Sequence, residues 1–121
     1  MSKSLLFSTS SELVRVPCDA VIFIAADGNY SVMTVADGSR YLLTMQLGQI
    51  ERLISEMIDK SDNRFVRIGK SLIVNIGYIT YINPARQKLT LSDCRTFVHE
   101  VSASREALKT LKQLIEEDNI R

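Results

Sequence analysis

Three residues set closely around a glycine carry the clearest chemical potential in this sequence. They are Arg67, Lys70 and Ser71, in the run Phe65-Val66-Arg67-Ile68-Gly69-Lys70-Ser71-Leu72-Ile73-Val74-Asn75. Two cations, a hydroxyl and the N–H groups of a turn form the donor set that contacts phosphate oxygens. A lysine at such a corner also suits guanine O6 and N7 in a major groove, and Gly69 lets the backbone approach a partner closely. Arg67 has a second reading, a cross-strand ion pair with Asp93 or Glu100. Catalytic patterns are missing from the chain. His99 is the single histidine, Cys18 and Cys94 have neither metal-ligand nor disulfide-framework spacing, and no serine stands in G-x-S-x-G. No enzyme activity, metal or cofactor is therefore expected.

The elements that hold this corner follow from periodicity. Residues 1–12 are polar and serine-rich and read as a flexible leader. Leu13 to Val16 starts a strand checked by Pro17, and Ala20 to Ala26 is a buried strand. Ala26-Asp27-Gly28-Asn29 turns into a strand over Tyr30 to Val35, and Ala36-Asp37-Gly38-Ser39 turns again before Arg40 to Thr44. Over Met45 to Ile58 the apolar period becomes helical, with Leu47, Ile50, Leu53, Ile54, Met57 and Ile58 on one stripe. Strands return at Phe65 to Ile68, Leu72 to Asn75 and Tyr78 to Asn83. Lys88 to Leu91, Ser92 to Arg95 and Thr96 to Val101 read as a hairpin. Ser102 or Ser104 can cap a final helix with an apolar stripe of Ala107, Leu108, Leu111, Leu114 and Ile115, and 117–121 frays as a tail. The expected fold is mainly β with two short helices, an α+β domain over 13–116.

With 45% apolar and 24% charged residues the chain belongs among globular rather than disordered sequences. No stretch approaches a membrane span, and residues 1–11 lack the pattern of a signal peptide, so the expected location is cytoplasmic. The net charge of +1 hides an asymmetry. Met1 to Asn63 carries five Lys/Arg against eight acids, a net of −3, while Arg64 to Arg105 carries seven against two, a net of +5. Glu106 to Arg121 closes at −1, three cations against four acids. A basic segment in a neutral protein suits a phosphate-facing patch, or else solvated strand faces.

The run from Phe65 to Asn75 resembles the signature of the LytTR family of bacterial DNA-binding domains. That signature reads F-x-R-x-H, then Arg or Lys, Ser, an aromatic or aliphatic residue, an aliphatic residue, Val and Asn. Asp27-Gly28-Asn29-Tyr30 is similar to the family's D/N-x-N-Y turn, and Leu43 to Leu53 to the segment leading into its helix. Leu89 to Asp93 resembles L-x-L-x-D-G, and Val101-Ser102-Ala103-Ser104 with Leu108 resembles the V-S-R-S ending. The likeness spans about Leu13 to Ile115.

The resemblance implies an elongated stack of small antiparallel sheets whose loops, not a recognition helix, enter successive major grooves. It implies a transcription regulator of the response-regulator kind, binding direct repeats of double-stranded DNA as a homodimer within two-component signalling. DNA contacts then fall on Asn29 and Tyr30, on Lys70 and Ser71, and on Ser102, Ser104 and Arg105, and the basic corner itself adds Arg67 as a candidate. The short polar segment before Leu13 leaves no room for a receiver domain, so the expectation is a standalone domain, one signalled by an upstream protein, or a piece of a longer regulator.

Three positions depart from the pattern. Gly69 stands where the family commonly has histidine, Ala103 where arginine is common, and Cys94 in place of the glycine of the last Asp-Gly turn. Each lost side chain that contacted a base would be worth about 1–3 kcal/mol. A protein-interaction module on the same fold is the alternative function.

Overall fold

The computed structural model describes residues 3–120 and contains ten strands and two helices among them. Five strands form the central antiparallel sheet: β3 (Val21–Asp27), β4 (Tyr30–Val35), β5 (Arg40–Leu43), β6 (Phe65–Ile68) and β7 (Leu72–Asn75), in the order β5-β4-β3-β7-β6. Two smaller sheets flank it. One is the ribbon of β1 (Ser4–Ser8) with β2 (Leu13–Pro17), and the other is β8 (Ile79–Asn83), β9 (Lys88–Ser92) and β10 (Val98–Ser102), in the order β10-β9-β8. Helix α1 spans Leu47–Met57 and α2 spans Arg105–Ile120.

The central sheet divides the interior into two cores. Ile73 of β7 points into the first with Leu5, Phe7, Val16, Val21, Ile24, Ile50 and Ile54. Leu72 and Val74 point into the second with Ile22, Ile68, Leu89, Leu91, Leu108 and Leu111. The ribbon and α1 therefore close one face, and the three-stranded sheet and α2 close the other. A strand covered on both sides needs an unbroken apolar run, which is what Leu72-Ile73-Val74 supplies, and all four β7 residues are buried. In β3 a bulge between Val21 and Phe23 turns Ile22 and Phe23 to the second core, while Val21 and Ile24 keep to the first.

At the end of β7 a polar side chain sits where burial is otherwise apolar. Asn75 is 3% exposed. Its Nδ2 donates to the Val21 carbonyl at 2.9 Å, and its Oδ1 accepts from the Gly77 N–H at 3.0 Å. The end of β7 is thereby tied to the start of β3 and to the one-turn 3₁₀ helix at Ile76–Tyr78. Close by, Arg64 is paired with Asp19 at 2.8 Å and Asp62 at 3.3 Å.

The structure corrects three expectations. The flexible leader over 1–12 contains β1, because Leu5 and Phe7 alternate with Ser4, Leu6 and Ser8 and are buried while those three are exposed. The tail expected to fray over 117–121 continues α2 as far as Ile120. Residues 1, 2 and 121 lie outside the described residues. The hairpin expected over Lys88 to Val101 is present, with β10 paired antiparallel to β9, but Thr96 and Phe97, expected in its second strand, belong to the connection, where residues 93–97 form a loop wrapped around the Asp93 carboxylate. That carboxylate accepts from the N–H groups of Arg95, Thr96 and Phe97 and from the Thr96 hydroxyl. Cys94 takes a left-handed φ of 61° in this loop, a backbone that an L side chain adopts at a cost of about 1–2 kcal/mol. Both cysteines are free, Cys18 buried and Cys94 exposed.

Phe7→Ala should lower the unfolding free energy by about 3–5 kcal/mol in a urea titration. Leu6→Ala, on the exposed side of β1, should cost under about 1 kcal/mol. The hydrogen bond from Thr96, then those from the loop's N–H groups, hold the Asp93 carboxyl well below the usual carboxylate range. Its stabilising effect is complete above its unfolded value of about 3.9 and is lost as pH falls through the depressed folded value. The stability gap between the wild type and Asp93→Asn should thus be widest at neutral pH and shrink as pH drops below about 4. A gap independent of pH would contradict this role.

Candidate nucleic-acid interface

Antiparallel pairing brings the two turns around Gly28 and Gly69 to one end of the central sheet. Ala25 of β3 faces Leu72 of β7, so the finish of β3 lies beside the start of β7. The Ala26 N–H donates to the Ser71 carbonyl at 2.8 Å, which binds the turns directly. Asp27 pairs with Tyr30 across a two-residue loop of Gly28 and Asn29, and Ile68 pairs with Leu72 across Gly69, Lys70 and Ser71. Gly69 has φ 59°. Its glycine is set by the left-handed backbone of this turn, and a Cβ built there would meet no atom within 4 Å.

The same end gathers further elements. Ser31 in β4 pairs with Leu43 at the finish of β5, and its buried hydroxyl donates to the Met45 carbonyl at 2.9 Å. Gln46, just ahead of α1, donates from Nε2 to Asn29 Oδ1 at 3.2 Å and so braces the first turn. The opening of α2 lies alongside the Gly69 turn, where Arg67 and Gly69 share a cleft with Glu106, Ala107 and Thr110. Ser104 caps that helix, its Oγ accepting from the Ala107 N–H at 3.2 Å.

Seven of the eight residues singled out in the sequence thus stand exposed around one end: Asn29, Tyr30, Lys70, Ser71, Ser102, Ser104 and Arg105. Tyr30 is 48% exposed. Among the described residues, no carboxylate lies within salt-bridge distance of Lys70 or Arg105. Two of these residues have internal duties as well, Ser104 as the cap of α2 and Asn29 as the partner of Gln46.

Arg67 differs from the rest. Its guanidinium pairs with Glu51 of α1 at 3.0 Å and its Nε donates to the Gly69 carbonyl at 3.2 Å. The half-buried side chain also passes over Gly48, where a built Cβ would lie 3.4 Å from Arg67 Nη1. Arg67 therefore braces the Lys70 turn against α1. The ion pair suggested by strand alternation exists, but its partner is Glu51 and not Asp93 or Glu100. Glu100 instead pairs with Lys88 at 3.6 Å. Glu51 and Gln46 carried no sequence signal for these roles, because both lie on or beside a helix distant in sequence from the turns they brace.

A family model, the LytTr DNA-binding domain, matches residues 11–116. Among solved structures, the LytTr DNA-binding domain of a protein from Bacillus cereus, described as a putative methyl-accepting/DNA response regulator, has the same fold. It superposes with a TM-score of 0.65 at 20% identity, covering 95% of this chain and 98% of that one. No curated protein matches the sequence.

Gly69→Ala should destabilise the protein by about 1–2 kcal/mol through the left-handed backbone alone, since space for a methyl group is available. Lys70→Ala, one residue on, should shift the urea midpoint by no more than about 0.5 kcal/mol.

Proposed function

The chain belongs to the LytTR family of DNA-binding domains, and on that premise we propose that it is a sequence-specific regulator of transcription. In this reading the protein grips double-stranded DNA with the turn-bearing end of its sheet stack. The observation that carries it is the sorting of cations in the basic segment. Of the seven cations from Arg64 to Arg105, Arg64, Arg67 and Lys88 are held in ion pairs within the protein, Lys70 and Arg105 stand exposed beside hydroxyls and amides at one end, and Arg86 and Arg95 are exposed without an ion-pair partner among the described residues. Unneutralised cations next to Ser71, Ser102, Ser104 and Asn29 provide both phosphate donors and groups able to read base edges.

Within this proposal each turn has its own task. Lys70 reaches a guanine edge or a phosphate, and the Ser71 hydroxyl donates to a neighbouring phosphate oxygen. Asn29 and Tyr30 enter the adjoining stretch of groove from the first turn. Ser102, Ser104 and Arg105 approach from the opening of α2, and Arg67 acts as a positioning residue through Gly69. Two copies bind direct repeats side by side. Because such repeats are related by translation and not by a two-fold axis, the copies would meet through unlike surfaces. The regulatory signal comes from a signalling partner in the cytoplasm.

A second reading, a protein-interaction module, draws on Gly69 and Ala103, which offer no polar side chain at two places on this end. The readings separate in a salt titration of duplex binding, on a selected site and on random sequence, for the wild type and Lys70→Ala. DNA binding predicts affinity that falls steeply with salt. Loss of about one unit of that slope in the mutant would put Lys70 on a phosphate. Loss of preference for the selected site by about 1–3 kcal/mol with the slope retained would put it on a base. Folded protein that binds no duplex at low ionic strength would overturn the proposal and leave the interaction module.

A further inference from the structure

The turn between β8 and β9 is also at this end of the molecule. Ser102 faces Lys88 in the β9–β10 ladder, and the Ala103 N–H donates to the Gln87 carbonyl at 3.3 Å. The turn Pro84-Ala85-Arg86-Gln87 therefore lies directly against the strand that leads into Ser104 and Arg105. We infer that it is a further DNA-contacting element, with Arg86 seated on a backbone phosphate. This inference rests on the DNA-binding reading above.

Three observations converge on Arg86. First, it is exposed, and among the described residues no carboxylate lies within salt-bridge distance of it, while nearby Lys88 is neutralised by Glu100. Second, its backbone is held in place. The Arg86 N–H donates to Asn83 Oδ1 at 3.1 Å, the Gln87 N–H donates to the Pro84 carbonyl at 3.1 Å, and Gln87 takes a φ of 58°. Asn83 is itself anchored, its Nδ2 donating to the Tyr81 hydroxyl at 2.9 Å. A cation on an ordered turn loses less conformational freedom on binding than one on a loose loop. Third, the position extends the line of exposed cations at this end from Lys70 and Arg105 to a third point on a different sheet.

The partner is assigned as a phosphate because this turn flanks the groove-facing residues, where contacts to the DNA backbone fix the protein's position on the duplex. Of the two amides here, Asn83 is engaged by Arg86 and Tyr81, while Gln87 is exposed. Arg95 provides the control. It is exposed and equally without a carboxylate partner among the described residues, but it lies in the loop between β9 and β10, at the far end of the same sheet.

The test is a salt titration of duplex binding for the wild type, Lys70→Ala, Arg86→Ala, Arg86→Lys and Arg95→Ala, with urea midpoints to confirm folding. Arg86→Ala should lower the salt slope by about one unit, on random and selected duplexes alike, and weaken binding roughly fivefold to tenfold at 0.1 M salt. Arg86→Lys should restore the slope, and Arg95→Ala should leave it unchanged. If Lys70→Ala alters binding and Arg86→Ala does not, this inference fails while the DNA-binding reading stands. It fails as well if Arg95→Ala lowers the slope as much as Arg86→Ala, because the effect is then that of net charge. A wild type that binds no duplex overturns both.

Discussion

Everything in this molecule depends on a strand that has no face left to water. β7 contributes Ile73 to the core it shares with α1 and the ribbon, and Leu72 and Val74 to the core it shares with the second sheet and α2. Burial on both faces gives the strand a defined register, since a slip of one residue would exchange its two sets of side chains. The buried amide of Asn75 closes the run with hydrogen bonds to Val21 and Gly77. With that end fixed, the opposite end of β7 has a fixed place too, and it carries Lys70 and Ser71.

Electrostatics then separates two kinds of cation. Arg67 is drawn back over Gly48 to Glu51 and braces the Gly69 carbonyl, and Arg64 bridges Asp19 and Asp62. Exposed or half-exposed pairs of this kind add little stability individually, up to about 1 kcal/mol. Their value here is positional, because each holds a segment at a set angle. The cations that remain unpaired at the end of the stack stand on turns, where desolvating them against phosphates costs no internal partner. In the proposed DNA-binding role a recognition helix is unnecessary, because the rigid element is the sheet and the reading elements would be its connections.

Much of this was legible in the sequence. β6 and β7 begin and end where alternation and the apolar run placed them, at Phe65–Ile68 and Leu72–Asn75. The helical stripe through Leu47, Ile50 and Ile54 is the buried face of α1. The Asp-Gly turns and the order of strand and helix segments were equally local signals. β1 was hidden because its two buried residues, Leu5 and Phe7, sit among serines and their worth comes only from the core they enter. The second strand of the last hairpin was started two residues early because Thr96 and Phe97 favour strands, and the N–H groups that turn toward the Asp93 carboxylate leave no mark on composition. For the site, residue type and spacing located the turns, while the Arg67–Glu51 pair and the adjacency of Arg86 to Ser102–Arg105 arise from pairings between segments far apart in the chain.

The central claim is that one end of the sheet stack meets DNA. Backbone amide chemical-shift mapping, with labelled protein titrated by a short duplex at low salt, tests it most directly. The account predicts that the largest changes fall in four stretches, 28–31, 69–71, 86–87 and 102–105, with the turn at Asp37–Ser39 and the loop at 93–97 unmoved at the far ends of their sheets. Changes centred on those far turns, or on the outer faces of α1 and α2, would contradict it.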